Sequence, residues 1–223
     1  IERMAALLRG AGRNGPARVL RAETEIPDVP PLRWLGAQKT AERAYWSGRD
    51  DAFQWAAAGV AHRIVGTSDT TRAEAADLCA AVLDSSSPGV RFLGGFRFNA
   101  DGREGPPWES FPAHRFVAPR VECVRAAGRT VLACNLSWSP GMQPNAALAR
   151  LAGDLRALRP PAATVPNSFP AIDRRLDEPS FPKWRKGVQS VLEDCAQGTL
   201  AKVVLARRIA LDLAAPIDAC ALL

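Results

Sequence analysis

The apolar positions switch period along this chain, and the switches mark its elements. Ile1 to Leu8 reads as a short helix frayed by Gly10 and Gly12, and Arg18 to Ile26 alternates with the period of a strand. Pro27, Pro30 and Pro31 then predict an extended connection. Arg43 to Arg49 and the alanine-rich Phe53 to Val65 are strand candidates. Thr71-Arg72-Ala73-Glu74 has the capping-box spacing, in which threonine and glutamate satisfy free amides at a helix start. That helix is predicted to reach about Leu83, where Ser85-Ser86-Ser87-Pro88 ends it. Val90 to Phe98 reads as a strand, and the Gly94-Gly95 pair inside it suggests a bulge or a close backbone approach. Asp101 to Pro107 is a loop. Arg115 to Arg125 and Thr130 to Trp138 form a hairpin around Ala126-Ala127-Gly128-Arg129. Asn145 is placed to cap a helix whose face carries Leu148, Leu151, Leu155 and Leu158.

Pro160 to Pro182 holds six prolines and reads as an extended linker. After it, Ser180 caps a helix with Trp184, Val188, Val191, Leu192 and Cys195 on one face, and Gly198 stops it. Lys-Val-Val-Leu-Ala-Arg, 202–207, then reads as a strand, with Asp218 opening a further helix. Strands outnumber helices without βαβ alternation, which predicts an α+β fold with a largely antiparallel sheet flanked by helices. Three regions follow: 1–160 as a sheet-and-helix region, 161–182 as a linker, and 183–223 as the start of a further region. No internal repeat is visible.

Composition narrows the class. The chain has 223 residues, 47% hydrophobic and 23% charged, an ordinary globular balance. No run of 18 apolar residues predicts a membrane span. The start at Ile1 rather than Met reads as a fragment or trimmed product, so an upstream targeting segment would be invisible. The net charge of +6 is scattered among arginines and suits an anionic small molecule without selecting one. Five cysteines without a C-x-x-C pair argue against zinc and against a disulfide framework. His62 and His114 are the two histidines; a serine triad is possible on paper, but no G-x-S-x-G elbow supports it, and Walker and Rossmann loops are absent.

Lys202 is the candidate for chemistry. On a strand it shares a face with Val204 and Ala206. Burial there disfavours the ammonium and lowers its pKa, the usual route to a lysine general base. The same spacing also fits a lysine that snorkels from an edge strand and does no chemistry.

The helix, the Gly198 stop and K-V-V-L-A-R together resemble the lysine-bearing strand of the chorismate-utilising enzymes, in their isochorismate synthase branch. A second stretch resembles the N-terminal portion of the menaquinone- and phylloquinone-type members: Gly94, Gly95 and Phe98, then Trp108 and Phe111, then Arg115, Phe116, Pro119, Arg120 and Glu122. Tyr45-Trp46 looks like the family's early strand. The resemblance runs from about Tyr45 to the end of the chain. It implies an α+β fold of large antiparallel sheets and a Mg²⁺-dependent isomerase acting on chorismate, with Lys202 activating the water that attacks the ring. It also implies that the general acid and the Mg²⁺ ligands lie in a C-terminal half, so the metal set here is none and this chain alone is expected to be inactive. The expected location is the cytoplasm in a bacterium and the plastid in an alga or plant, as a monomer that binds no nucleic acid or membrane. Salicylate, anthranilate and aminodeoxychorismate synthases of the same superfamily are the alternatives, the ammonia-using anthranilate type typically carrying glutamine where Lys202 stands. From another class, Arg91-Phe92-Leu93-Gly94-Gly95-Phe96-Arg97-Phe98 superficially echoes the basic-aromatic strand of an RNA-binding module.

Overall fold

The alternating stretches pair into one antiparallel sheet. In the computed structural model, which describes residues 1–11, 16–67, 69–98, 111–161 and 169–223, the chain divides into two units, Ile1–Val165 and Pro166–Leu223. The first holds helices α1 (Glu2–Gly10), α2 (Pro31–Ala37), α3 (Arg72–Ser85) and α4 (Pro144–Arg156). Its strands are β1 (Arg18–Ile26), β2 (Arg43–Ser47), β3 (Phe53–Gly66), β4 (Leu93–Phe96), β5 (His114–Ala126) and β6 (Arg129–Trp138). The sheet order is β1-β6-β5-β3-β2, and β4 adds to the His114–Val117 end of β5. This is the α+β architecture that the mixed periods predict.

Strand alternation decides which helix covers which face. Leu20 of β1 joins Leu136 and Trp138 of β6 with Met4 and Leu8 of α1 and Leu151 of α4. Val19, one residue earlier, points to the other face and packs with Ala118 and Val90, against which Val82 of α3 rests. Met4, Leu151 and Trp138 are buried, and burying a side chain of that size is worth about 1.5–3 kcal/mol.

The turns follow local chemistry. Ala127 (φ 49°) and Gly128 (φ 73°) both take positive φ between β5 and β6, the conformation of a tight hairpin turn whose twist matches the strands. The capping box of α3 is complete: Thr71 Oγ1 accepts from the Glu74 amide, and the Glu74 carboxylate accepts from the Thr71 amide at 2.7 Å. A bulge interrupts β3, where Val60 faces Pro119 and His62 faces Ala118, leaving Ala61 unopposed.

Several expectations are corrected. Pro31 opens α2 instead of extending the connection, because a proline at the first helical position gives up an N–H that the helix would not have used. The strand read over Val90 to Phe98 is confined to Leu93–Phe96. The cap of α4 is Gln143, with Pro144 rather than Asn145 starting the helix. The loop at 101–107, Trp108 and Pro166 lie outside the described residues.

The second unit contains β7 (Ile172–Glu178), α5 (Phe181–Ala196), β8 (Arg208–Leu213) and a short 3₁₀ turn, Ala219–Ala221. β7 and β8 form an antiparallel ribbon. The stretch expected to be linker to Pro182 therefore carries a strand from Ile172. No described residue of this unit is buried. Among the described residues, no helix is long and apolar enough to cross a membrane.

Candidate active site

Lys202 is positioned by the end of α5. Gly198 takes φ +77°, its amide bonds to Cys195 O, and the Thr199 amide reaches back to Asp194 O at 3.0 Å. This closes the helix in a Schellman motif, for which glycine carries no Cβ penalty. The chain then runs through Leu200–Arg207 without strand pairing, and β8 begins only at Arg208. Lys202 is exposed, as are Val203, Val204, Leu205 and Ala206. The expected lysine strand is therefore displaced to 208–213: a strand needs a neighbour for its amides and carbonyls, and β7 supplies one from Arg208 onward only.

Beside this segment, Asp177 of β7 gathers two guanidiniums. Arg207 reaches it at 2.5 Å and Arg175 at 3.0 Å. The hydrogen bond from Arg175, then the charges of Arg175 and Arg207, hold the Asp177 carboxyl below its ordinary range. Arg208 pairs with Glu178 at 3.8 Å. Arg207 and Arg208 thus already have carboxylate partners within their own ribbon. Among the described residues no group of three or more His, Cys, Asp or Glu side chains could hold a metal ion. The resemblance implies that the Mg²⁺ ligands lie in a C-terminal half, and no residue described here is assigned to that site.

The second resemblance lies in the first unit and divides into two structural roles. Gly94, Gly95, Phe111, Arg115 and Pro119 line one cavity of about 420 Å³. A Cβ at Gly94 would lie 1.9 Å from the Arg115 carbonyl oxygen, so the expected close backbone approach is present. Arg115 bonds Glu42 at 2.5 Å, and Glu42 also accepts from Arg63 at 2.7 Å. Phe116 instead packs edge-on to Phe96 at 5.2 Å.

Glu122 belongs to the framework. Its Oε1 accepts from Arg21 Nη1 at 2.6 Å and from Asn135 Nδ2. Arg120 Nη1 donates to Asn135 O at 3.1 Å and its Nε lies 3.3 Å from Asp154. Burial pulls the Arg120 pKa down while Asp154 pulls it up. Sequence reasoning missed Arg21, Glu42, Arg63 and Asn135, each of which takes its meaning from strand pairing across 13 to 101 residues. His62 Nδ1 lies 3.1 Å from Ser137 Oγ, and its ring meets Phe92 at 72°, a contact that ties β3 to β6.

A family pattern described as chorismate binding enzyme matches residues 6–223. The chain belongs to the chorismate-binding enzyme family. Among curated relatives, the salicylate biosynthesis isochorismate synthase of Pseudomonas aeruginosa is 27% identical over 198 residues, 85% of this chain and 41% of that protein. The chloroplastic isochorismate synthase 2 of Arabidopsis thaliana is 38% identical over 56 residues, 25% of this chain and 10% of that protein. In fold, the chain is similar to MenF, the menaquinone-specific isochorismate synthase from Escherichia coli, with TM-score 0.65 and 20% identity over 97% of this chain and 47% of that one. The chain spans less than half the length of these relatives. The RNA-binding alternative loses its footing on this finding, and the strand that prompted it is a four-residue addition to the His114 end of β5.

Proposed function

We propose that this chain is the lysine-bearing part of an isochorismate synthase, converting chorismate to isochorismate. The observation that carries the reading is the family match running unbroken through Lys202, joined by two curated relatives that are both isochorismate synthases. In this reading neutral Lys202 takes a proton from water, the water oxygen bonds to C2 of chorismate, and the C4–oxygen bond breaks. The departing hydroxyl takes its proton from an acid that this chain does not identify. No step is assigned to Mg²⁺, whose donors are not found among the described residues.

Lys202 becomes a base at neutral pH only if its amine is desolvated. Its segment is exposed here, with Val204 82% accessible. Activation therefore requires further protein surface over 200–207, and the 223-residue chain on its own should show no turnover. The lysine favours water over ammonia as nucleophile, which sets the anthranilate and aminodeoxychorismate types behind the isochorismate reading.

The test is product analysis of the full-length protein with chorismate and Mg²⁺, with and without ammonium, beside Lys202→Ala. Isochorismate from the wild type, insensitivity to ammonium, and a loss of about 10²–10⁴-fold in kcat for the variant are expected. The variant should keep its fold, because Lys202 is exposed. Anthranilate or aminodeoxychorismate as product, or a fully active variant, would leave the family assignment alone standing. Turnover by the isolated chain would refute the requirement for further surface.

A further inference from the structure

Five of the family-like residues of the first unit, Gly94, Gly95, Phe111, Arg115 and Pro119, converge on one cavity, and its chemistry selects a ligand. The walls are apolar where Leu93, Phe111, Val117 and Pro119 contribute, and charged at one end where Glu42 and Arg115 meet. Leu93 faces Val117 and Gly95 faces Arg115 across the β4–β5 ladder, and cross-strand partners point to the same side of a sheet. Gly95 leaves that side open among the described residues, since a Cβ built there meets none of their atoms within 4 Å.

At the charged end one carboxylate serves two guanidiniums. Glu42 accepts from Arg63 at 2.7 Å and from Arg115 at 2.5 Å. Among the described residues at that end, Glu42 is the one carboxylate beside Arg43, Arg63 and Arg115, and a guanidinium fork binds a planar carboxylate with two parallel hydrogen bonds. The volume of about 420 Å³ falls within the roughly 300–1,000 Å³ of small-molecule sites. It is large enough for a single ring with short substituents.

We propose that this cavity, built entirely from the first unit, is a binding site for a small ring-bearing monocarboxylate. The carboxylate seats on Arg115 and the ring lies against Leu93, Val117 and Pro119. The proposal stands apart from the Lys202 reading and survives its failure.

The probe is benzoate, titrated into the isotopically labelled chain while the Gly94 and Gly95 amides and the Arg115 Nε–H are followed by NMR. Saturable shifts at these three positions are expected. Acetate, which lacks the ring, should bind at least about tenfold more weakly, and benzylamine, which carries the opposite charge, should give no saturable shift. Gly95→Leu fills the cavity without removing a charge, and it should abolish the benzoate response while keeping the thermal midpoint within a few degrees. Arg115→Gln should weaken benzoate at least about tenfold. No saturable shift with benzoate, an equal response to benzylamine, or an undiminished response in folded Gly95→Leu would overturn the proposal.

Discussion

Removing the Glu122 carboxylate should unfold the first unit far more readily than losing a solvent-exposed pair would. The Arg21 side chain is 4% exposed and that of Glu122 is 0% exposed, with 2.6 Å between Nη1 and Oε1. Strand register explains the meeting. Arg21 faces Asn135 and Glu122 faces Ala133, two residues along β6, so all three polar groups share one face of the sheet. Glu23, the other carboxylate on Arg21, is 57% exposed and 3.2 Å away, too solvated to neutralise a buried cation. Glu122→Ala therefore strands a buried guanidinium, which costs about 3–5 kcal/mol. For a chain of this size, each kcal/mol lowers Tm by about 2–4 °C, so a drop of about 6–20 °C is expected. Glu122→Gln keeps the shape and one acceptor, and should cost about 1.5–3 kcal/mol. The double variant Arg21→Met with Glu122→Leu removes both charges together and should recover most of the loss, since hydrophobic replacement of a buried pair is often neutral or better. Urea unfolding followed by tryptophan fluorescence reads this directly, because Trp34, Trp55 and Trp138 are buried in this unit. If Glu122→Ala costs less than about 1 kcal/mol, or the double variant loses the sum of the two single losses, the pair is not the desolvated, coupled unit described here.

Three further outcomes follow from local geometry. Gly94→Ala forces a Cβ to within 1.9 Å of the Arg115 carbonyl oxygen, while a Cβ at Gly95 meets no described atom within 4 Å; thermal denaturation should show a loss of at least about 1–3 kcal/mol for Gly94→Ala and no loss for Gly95→Ala. Thr71→Ala removes the hydroxyl that accepts from the Glu74 amide and leaves the backbone half of the α3 capping box in place, and should cost about 1 kcal/mol in urea titrations. The amide and then the hydroxyl of Thr71 also hold the Glu74 carboxyl below its ordinary pKa, so the stability this contributes is present above the unfolded pKa and is lost as acid titration passes the folded value, a pH dependence that Thr71→Ala should reduce by the hydroxyl's share while the amide's share remains. Cys123 is buried, and burial, followed by the charge of Asp28, pushes its thiol up to about 11; it should resist thiol reagents at pH 8 in the native state, and its raised pKa should contribute stability that begins to fall as pH rises above the unfolded thiol value and is lost through the folded one.

Much of the first unit was legible because its signals are local. The Ala126-Ala127-Gly128-Arg129 turn, the Thr71–Glu74 spacing and the alternation of Arg18–Ile26 each state their structure within a few residues. Where two local principles compete, the sequence misleads. Pro31 reads as a breaker when taken with Pro27 and Pro30, yet as a helix starter when taken with Leu32, Trp34 and Leu35, and the burial of Trp34 and Leu35 decides for the helix. The buried cluster of Arg21, Glu122 and Asn135 had no local signal. It exists because three strands distant in sequence share a register.

Lys202 is a different case, since its pattern is clear and its environment is not contained in these residues. Val203 and Leu205 alternate with Lys202 and Val204 as a strand requires, and Leu192 sits on the apolar face of the preceding helix. Yet Leu192 is 63% exposed and Val204 is 82% exposed. A hydrophobic pattern records the surface that a segment packs against, and the amides of 202–207 record a neighbour that would pair with them. Neither is supplied by the β7–β8 ribbon, whose register ends at Glu178 opposite Arg208. A relative such as the Pseudomonas aeruginosa isochorismate synthase is more than twice the length that this chain matches. Hydrogen exchange of the Lys202–Arg207 amides, fast in this chain and slow in the full-length protein, would show that the strand forms only when such a neighbour is present. Equal, fast exchange in both would mean that Lys202 acts from an exposed loop, without the desolvation that makes a lysine a general base.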